Sequence, residues 1–229
     1  REKPVRFIPP EDLVEIALSC GGIGIAFTYN EPVIWCEYIL DAAPLFKKKG
    51  LKVVLVTNGF VNPEPLKCML GFVDALNIDV KAFKENFYKE VCGGSLEAVK
   101  EAVKIAAEKA HVEITTLVIG GLNDNESEIA DLARWLAGID KAIPLHLSRY
   151  FPNYKMKLPP TPTDTLFRLK DIAKEYLDYV YTGNIWRADN DTYCPECGNK
   201  VVERGYEVKV VGLKENRCSN CGKIIPIIL

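Results

Sequence analysis

The chain has 229 residues, 48% hydrophobic and 26% charged, enough to bury a sizeable core in one large domain or one domain plus a small appendage. Its 29 basic and 31 acidic residues nearly cancel, so composition offers no electrostatic footprint for nucleic acid or an anionic membrane. No run approaches the roughly 18 apolar residues of a membrane span, and the N-terminus lacks the apolar stretch of a signal peptide; no membrane partner and a cytoplasmic location are expected.

In chain order, "PPEDLVEIALSC" predicts a helix opened by prolines and acidic residues, with Leu13, Ile16 and Ala17 on one face. "GIGIAFTY" predicts a strand, "EPVIWCEYILDAAPLFKKKG" a helix closed by lysines and glycine, and "LKVVLVTNG" the next strand. A helix over 63–70 leads to "ALNIDVKAF", residues 75–83, a strand in which Asn77, Asp79 and Lys81 share one face because successive side chains alternate. "SLEAVKEAVKIAAEKA" places Leu96, Val99, Val103 and Ala106 at helical spacing. There follow a strand "VEITTLVIGG", a helix "NESEIADLARWLAG", a strand "AIPLHLSRY", a proline-rich connection, a helix "TDTLFRLKDIAKEYL" and a strand "YVYTGNIW". Strands alternating with helices imply a parallel sheet, doubly wound or curved into a barrel.

Polar residues gather at the C-terminal strand ends: Asn30 and Glu31, Thr57 and Asn58, Asp79 and Lys81, Arg149, Asn184. That rim binds ligands in both architectures, and the number of contributing strands favours a barrel. An internal ion pair accounts for Asp79 and Lys81 alone, but not for the amides, carboxylate and hydroxyls beside them, which call for a polar ligand or water. A zwitterion suits such a set: carboxylate and amide oxygens hold an ammonium group, while Lys81 and backbone N–H groups hold a carboxylate. The pattern also starts on a helix, where a β/α unit starts on a strand, and the chain begins at Arg1; a leading strand is expected to be missing.

From about Asp189 the sequence breaks into short, turn-rich pieces holding "YCPECGN" and "ENRCSNCGK". Cys194, Cys197, Cys218 and Cys221 form two C-x2-C knuckles, each followed by glycine, and four thiolates satisfy a tetrahedral zinc ion with no position left for water. Iron fits the same geometry, and two disulfides are the alternative, disfavoured where thiols stay reduced. A unit of roughly 40 residues needs such a cross-link. Cys20, Cys36, Cys68 and Cys92 are isolated beside apolar residues and are expected to be buried small hydrophobes.

"GIGIAFTYNEPVIW", "VVLVTNGF", "LNIDVKAF" and "ITTLVIGGLNDNESEI", in that order, resemble radical S-adenosylmethionine (SAM) enzymes of the pyruvate formate-lyase activating type, closest to the radical SAM proteins of AmmeMemoRadiSam systems. The resemblance covers nearly the whole chain. It implies an α/β fold: a partial (β/α) barrel of radical SAM type over 1–188, N-terminally truncated, with a zinc ribbon at 189–229. It implies SAM contacts for Tyr29, Asn30, Glu31, Asp79 and Lys81, and more weakly for Asn58, Thr115 or Thr116, His146 and Arg149. It implies a [4Fe–4S] cluster, an electron donor such as ferredoxin or flavodoxin, and either a protein or a small-molecule substrate. The family's C-x3-C-x2-C cluster loop is absent from these 229 residues, so this chain is expected to be inert alone, and its parent to cleave SAM to a 5′-deoxyadenosyl radical.

Two other readings compete. In one, Lys81 forms a Schiff base in an aldolase-type lyase with Asp79 as its proton partner. In the other, the barrel is a scaffold and the ribbon a binding module. Its Lys200, Arg204, Lys209, Lys214, Arg217 and Lys223 are interleaved with Glu196, Glu203, Glu207 and Glu215, the mixture of an ordinary solvated face.

Overall fold

A computed structural model of the chain describes residues 6–186 and 188–227. The elements are α1 (Pro10–Ser19), β1 (Gly24–Phe27), a 3-10 turn (Pro32–Trp35), α2 (Cys36–Lys48), β2 (Lys52–Thr57), α3 (Pro63–Met69) and β3 (Ala75–Asp79). After them come α4 (Glu85–Phe87), a π turn (Tyr88–Cys92), α5 (Leu96–Ala107), β4 (His111–Val118), α6 (Glu126–Asp140), β5 (Leu145–Arg149), α7 (Thr163–Lys174) and β6 (Val180–Gly183). The short strands β7 (Thr192–Tyr193), β8 (Lys200–Arg204), β9 (Val208–Val210), β10 (Leu213–Lys214) and β11 (Arg217–Cys218) complete the chain. Two compact units result: Arg1–Val80 with Tyr88–Glu113, and Lys81–Phe87 with Ile114–Leu229.

In the first unit, β1, β2 and β3 are parallel neighbours, with Ala26 opposite Val54 and Val56 opposite Asn77. Alternation then sorts the side chains. Phe27, Val53, Leu55, Leu76, Ile78 and Val80 are buried, together with Leu96, Val99, Val103 and Ala106 of α5, the helical face read from the sequence. Val54, Ala75, Asn77 and Asp79 are half-buried, and Ala26 and Val56 exposed, on the other face of the strands. Ser95 caps α5 through its hydroxyl, which accepts from Ala98 N. In α1 the buried residue is Val14 and Ile16 is 47% exposed, so the expected Leu13–Ile16–Ala17 face is rotated by about one residue.

β4 belongs to both units. His111 N donates to Asp74 O at 3.0 Å in the first, and Ile114–Val118 pair in parallel with β5, which pairs with β6, in the second. The strands therefore follow one another in chain order in a parallel α/β arrangement of six. Ile114, Val118, Leu145 and Leu147 are buried with Ile129, Leu132 and Leu136 of α6 and Leu166 and Leu169 of α7, while Thr115, His146 and Tyr181 form one half-buried row across three strands.

β3 ends at Asp79, not at the expected Phe83, because side chains of the α6 region take over the backbone from Lys81 onward, as described below. β6 ends at Gly183, and Asn184 takes a left-handed φ of 58°, which stops the strand short of the expected Trp186. Cys20, Cys68 and Cys92 are exposed and Cys36 half-buried, correcting their expected burial; on α3 the core positions are Leu66 and Met69, which turns Cys68 outward.

The C-terminal stretch folds as a three-stranded antiparallel sheet, β7–β8–β9, and a β10–β11 hairpin. Its core of Cys194, Val201, Val202, Cys218 and Ile225 is continuous with Tyr179, the residue preceding β6.

Candidate functional site

The side chain of Glu31 organises the strand ends of the first unit. It caps the 3-10 turn by accepting from Val33 N at 3.3 Å, and also accepts from Thr57 Oγ1 at 2.6 Å and Asn58 N at 2.7 Å. Thr57 Oγ1 in turn accepts from Gly59 N at 3.1 Å, and Asn58 Oδ1 accepts from Phe60 N at 2.8 Å. Gly59 is required there: its φ is +68°, and a Cβ would stand 2.7 Å from Ile78 Cγ2. Three donors on a carboxylate with about four lone-pair sites leave room for one more, the kind of place an ammonium group takes. Tyr29 and Asn30, joined by a cis peptide bond, are exposed beside it. Asn77 and Asp79 share the half-buried face of β3 as the alternation predicted; Lys81 lies beyond the strand.

In the second unit, Asn123, 1% exposed, holds the segment carrying Lys81. Its Nδ2 donates to Lys81 O at 2.6 Å and Leu117 O at 2.9 Å, and its Oδ1 accepts from Ile119 N at 2.7 Å. Glu128, 3% exposed, accepts from Phe83 N at 2.8 Å and pairs with Lys84 at 3.0 Å. Neither residue was singled out from the sequence; the signal available was "LNDNE", where polar residues crowd the turn between an apolar strand and its helix. Thr115 and His146 are register neighbours, and the His146 ring stacks on Tyr181 with centroids 5.3 Å apart. Thr116 is buried on the opposite face. Arg149 also has the opposite parity from His146: its Nε donates to Thr161 O at 2.7 Å and its guanidinium lies over Phe151, so it fastens the 150–162 connection.

The four C-terminal cysteines converge, all their sulfurs lying within 4.8 Å of one another. Cys194 and Cys221 sulfurs are 3.6 Å apart, as are those of Cys197 and Cys218. Disulfide sulfurs bond at about 2.05 Å, whereas a tetrahedral centre with metal–sulfur bonds of about 2.3 Å spaces them about 3.8 Å apart. The knuckles are copies. Gly198 N and Gly222 N each donate at 2.9 Å to the first cysteine's carbonyl, Cys194 N and Cys218 N each donate at 2.8 Å to the residue beyond the knuckle, and both glycines have positive φ. Backbone N–H groups, chiefly that of Cys221, pull the Cys218 thiol down to about 6, whereas Cys221, in spite of the Lys223 backbone N–H, is pushed up to about 12 by burial and its neighbouring sulfurs, so the cluster favours a thiolate at Cys218 first. Among the described residues this is the one such group of metal-ligating side chains.

The chain is 38% identical over its whole length to an uncharacterized protein of Methanocaldococcus jannaschii, 70% of which is covered. It is 25% identical to pyruvate formate-lyase 1-activating enzyme of Escherichia coli, over 69% of this chain and 71% of that one. The fold resembles that of a domain of the pyruvate-formate lyase-activating enzyme from Bacteroides vulgatus, with a TM-score of 0.62 and 22% identity, covering 71% of this chain and all of that domain. The Radical SAM superfamily model matches residues 1–136, more than half of the sequence, and the chain belongs to that superfamily.

Proposed function

We propose that this chain is the SAM-holding part of a radical SAM enzyme similar to pyruvate formate-lyase activating enzyme, with strands curved as a partial barrel. The observation that carries this reading is β3, which buries Leu76 and Ile78 and turns Asn77 and Asp79 to the half-buried face beside Val56. On the first unit, we assign Tyr29, Asn30, Glu31, Asn58 and Asp79 to the SAM amino-acid and ribose groups; on the second, taken by itself, Lys81, Thr115 and His146 are proposed contacts, and Arg149, turned to the 150–162 connection, is not. The donor set of the first unit suits the ligand, with the Glu31 and Asp79 carboxylates for an ammonium.

A [4Fe–4S] cluster does not fit these residues. The C-x3-C-x2-C triplet is absent, Cys20, Cys36, Cys68 and Cys92 are far apart in sequence, and the remaining four cysteines complete one another in the C-terminal unit. The cluster ligands must come from outside these 229 residues. The chain alone therefore binds SAM without cleaving it; a cluster held by ligands outside it would supply, with an electron from a ferredoxin or flavodoxin, the reductive chemistry that acts on SAM and then on a protein or small-molecule substrate. Zinc occupies the four-cysteine centre, and 189–229 acts as a ribbon attached to a barrel domain of 1–188. We place the protein in the cytoplasm, as the sequence suggests; no described helix is long and apolar enough to cross a membrane.

Equilibrium dialysis with radiolabelled SAM tests the binding reading. Asp79→Asn is expected to weaken binding about tenfold, a loss of about 1.4 kcal/mol, and dithionite to release no 5′-deoxyadenosine from this chain. Equal affinity in wild type and variant would sink the assignment of Asp79; 5′-deoxyadenosine from iron-free protein would sink the account of the cluster.

A further inference from the structure

We infer that the C-terminal four-cysteine unit is a positioning device for His146, acting through Tyr181. Tyr181 lies in the row Thr115–His146–Tyr181 and offers its ring as the surface on which the imidazole stacks, at an interplanar angle of 25°. The rest of Tyr181 is gripped from the ribbon side. Its hydroxyl shares a hydrogen bond of 2.9 Å with Thr192 Oγ1 on β7, and the Arg204 guanidinium of β8 lies over its ring at 5.3 Å. Arg204 also donates from Nη1 to the same Thr192 hydroxyl and, at 3.3 Å, to Asn190 O. Its backbone N–H donates to Asp191 Oδ1 at 2.6 Å, and Asp191 pairs with Lys200. The next residue of β6 is clamped as well: Thr182 N donates to Asn190 Oδ1 at 3.0 Å, and Asn190 Nδ2 donates to Thr182 O at 2.7 Å.

Every group in this grip sits on β7, on β8 or in the lead-in to them, and those strands depend on the cysteine centre. Val201 and Val202 of β8 pack with Cys194, Cys218 and Tyr179 in one buried cluster. A core that small gains much of its order from a bound cross-link. Metal on the four sulfurs therefore orders β7 and β8, these order Tyr181, and Tyr181 fixes the plane of His146. The link from metal to imidazole is independent of any ligand; its use in holding SAM rests on the function proposed above.

The chain contains two histidines, His111 and His146, so the imidazole signals are separable by NMR. His111 lies at the start of β4 in the other compact unit, beside Glu113, and serves as an internal control. Zinc-loaded protein would be compared with protein stripped by a chelator, and with Arg204→Met at unchanged zinc content. The expected result is a shifted or broadened His146 signal in both, with His111 unmoved, and SAM affinity reduced three- to tenfold. Coincident His146 signals in the loaded, stripped and Arg204→Met proteins would overturn the inference. A His146 signal that moves while SAM affinity stays constant would uphold the positioning role and remove His146 from the SAM contacts.

Discussion

Asn123 shows how a single side chain can connect distant segments. All three of its hydrogen bonds go to backbone groups, one of them 42 residues away at Lys81. Asn123→Ala would leave the buried Ile119 N without its acceptor and take a donor from the part-buried carbonyls of Lys81 and Leu117, and leaving a buried polar group unpaired is expensive. The expected destabilisation is about 3 kcal/mol. Asn125 caps α6 by accepting from Ser127 N and Glu128 N, and Asn125→Ala is expected to cost about 1 kcal/mol. Urea unfolding of both variants checks the order; a smaller loss at Asn123 than at Asn125 would mean that water replaces its bonds. Glu31 was legible as a rim residue from "TYNEP", but its grip on Thr57 and Asn58 was not, since nothing local in the sequence brings residues 31 and 57 together.

Among the secondary-structure elements, Asp74 ties β2, β3 and the end of α2. Its carboxylate accepts from Lys47 at 2.8 and 2.7 Å, from Lys52 at 3.2 Å and from Val53 N at 2.9 Å. Burial alone would raise its pKa, but these donors outweigh that effect and hold the carboxyl below its ordinary value. A carboxyl depressed in the folded state contributes stability above its unfolded value, about pH 3.9, and loses it as pH falls through the lower folded value. Asp74→Asn is therefore expected to cost about 1 kcal/mol at pH 7, after allowance for solvent screening, and to show a shallower acid limb below pH 4. Chemical unfolding at pH 7 and pH 3 checks this: a loss at pH 3 as large as that at pH 7 would point to packing and not charge. The elements themselves were largely legible, because helical spacing, proline and acidic starts and a serine cap are short-range signals. Their ends were less so: β3 stops where Asn123 and Glu128 take hold of the next residues.

For the whole molecule, the ribbon carries the clearest prediction. Atomic spectroscopy is expected to find one zinc per chain. Stripping that metal should open the trypsin sites at Lys200, Arg204, Lys209, Lys214 and Arg217 within residues 189–227, while α5, with its buried Leu96, Val99 and Val103, stays resistant. Equal cleavage with and without metal, followed by mass spectrometry, would show that the ribbon holds itself together by other means. The exposed Val208 and Val210 on β9 suit a small unit that relies on its sulfurs more than on a large core.

The sequence by itself determined the alternation of strands and helices, the polar face of β3 and the two cysteine knuckles. Each follows from spacing within a few residues, where backbone geometry leaves little choice. Only the tertiary structure decided that Glu31 holds the "TNG" turn, that Asn123 and Glu128 hold the segment after β3, that Arg149 turns to the 150–162 connection, and that Tyr181 joins the ribbon to His146. These contacts link residues tens of positions apart, and no local preference of the chain encodes which distant backbone group a buried side chain will meet.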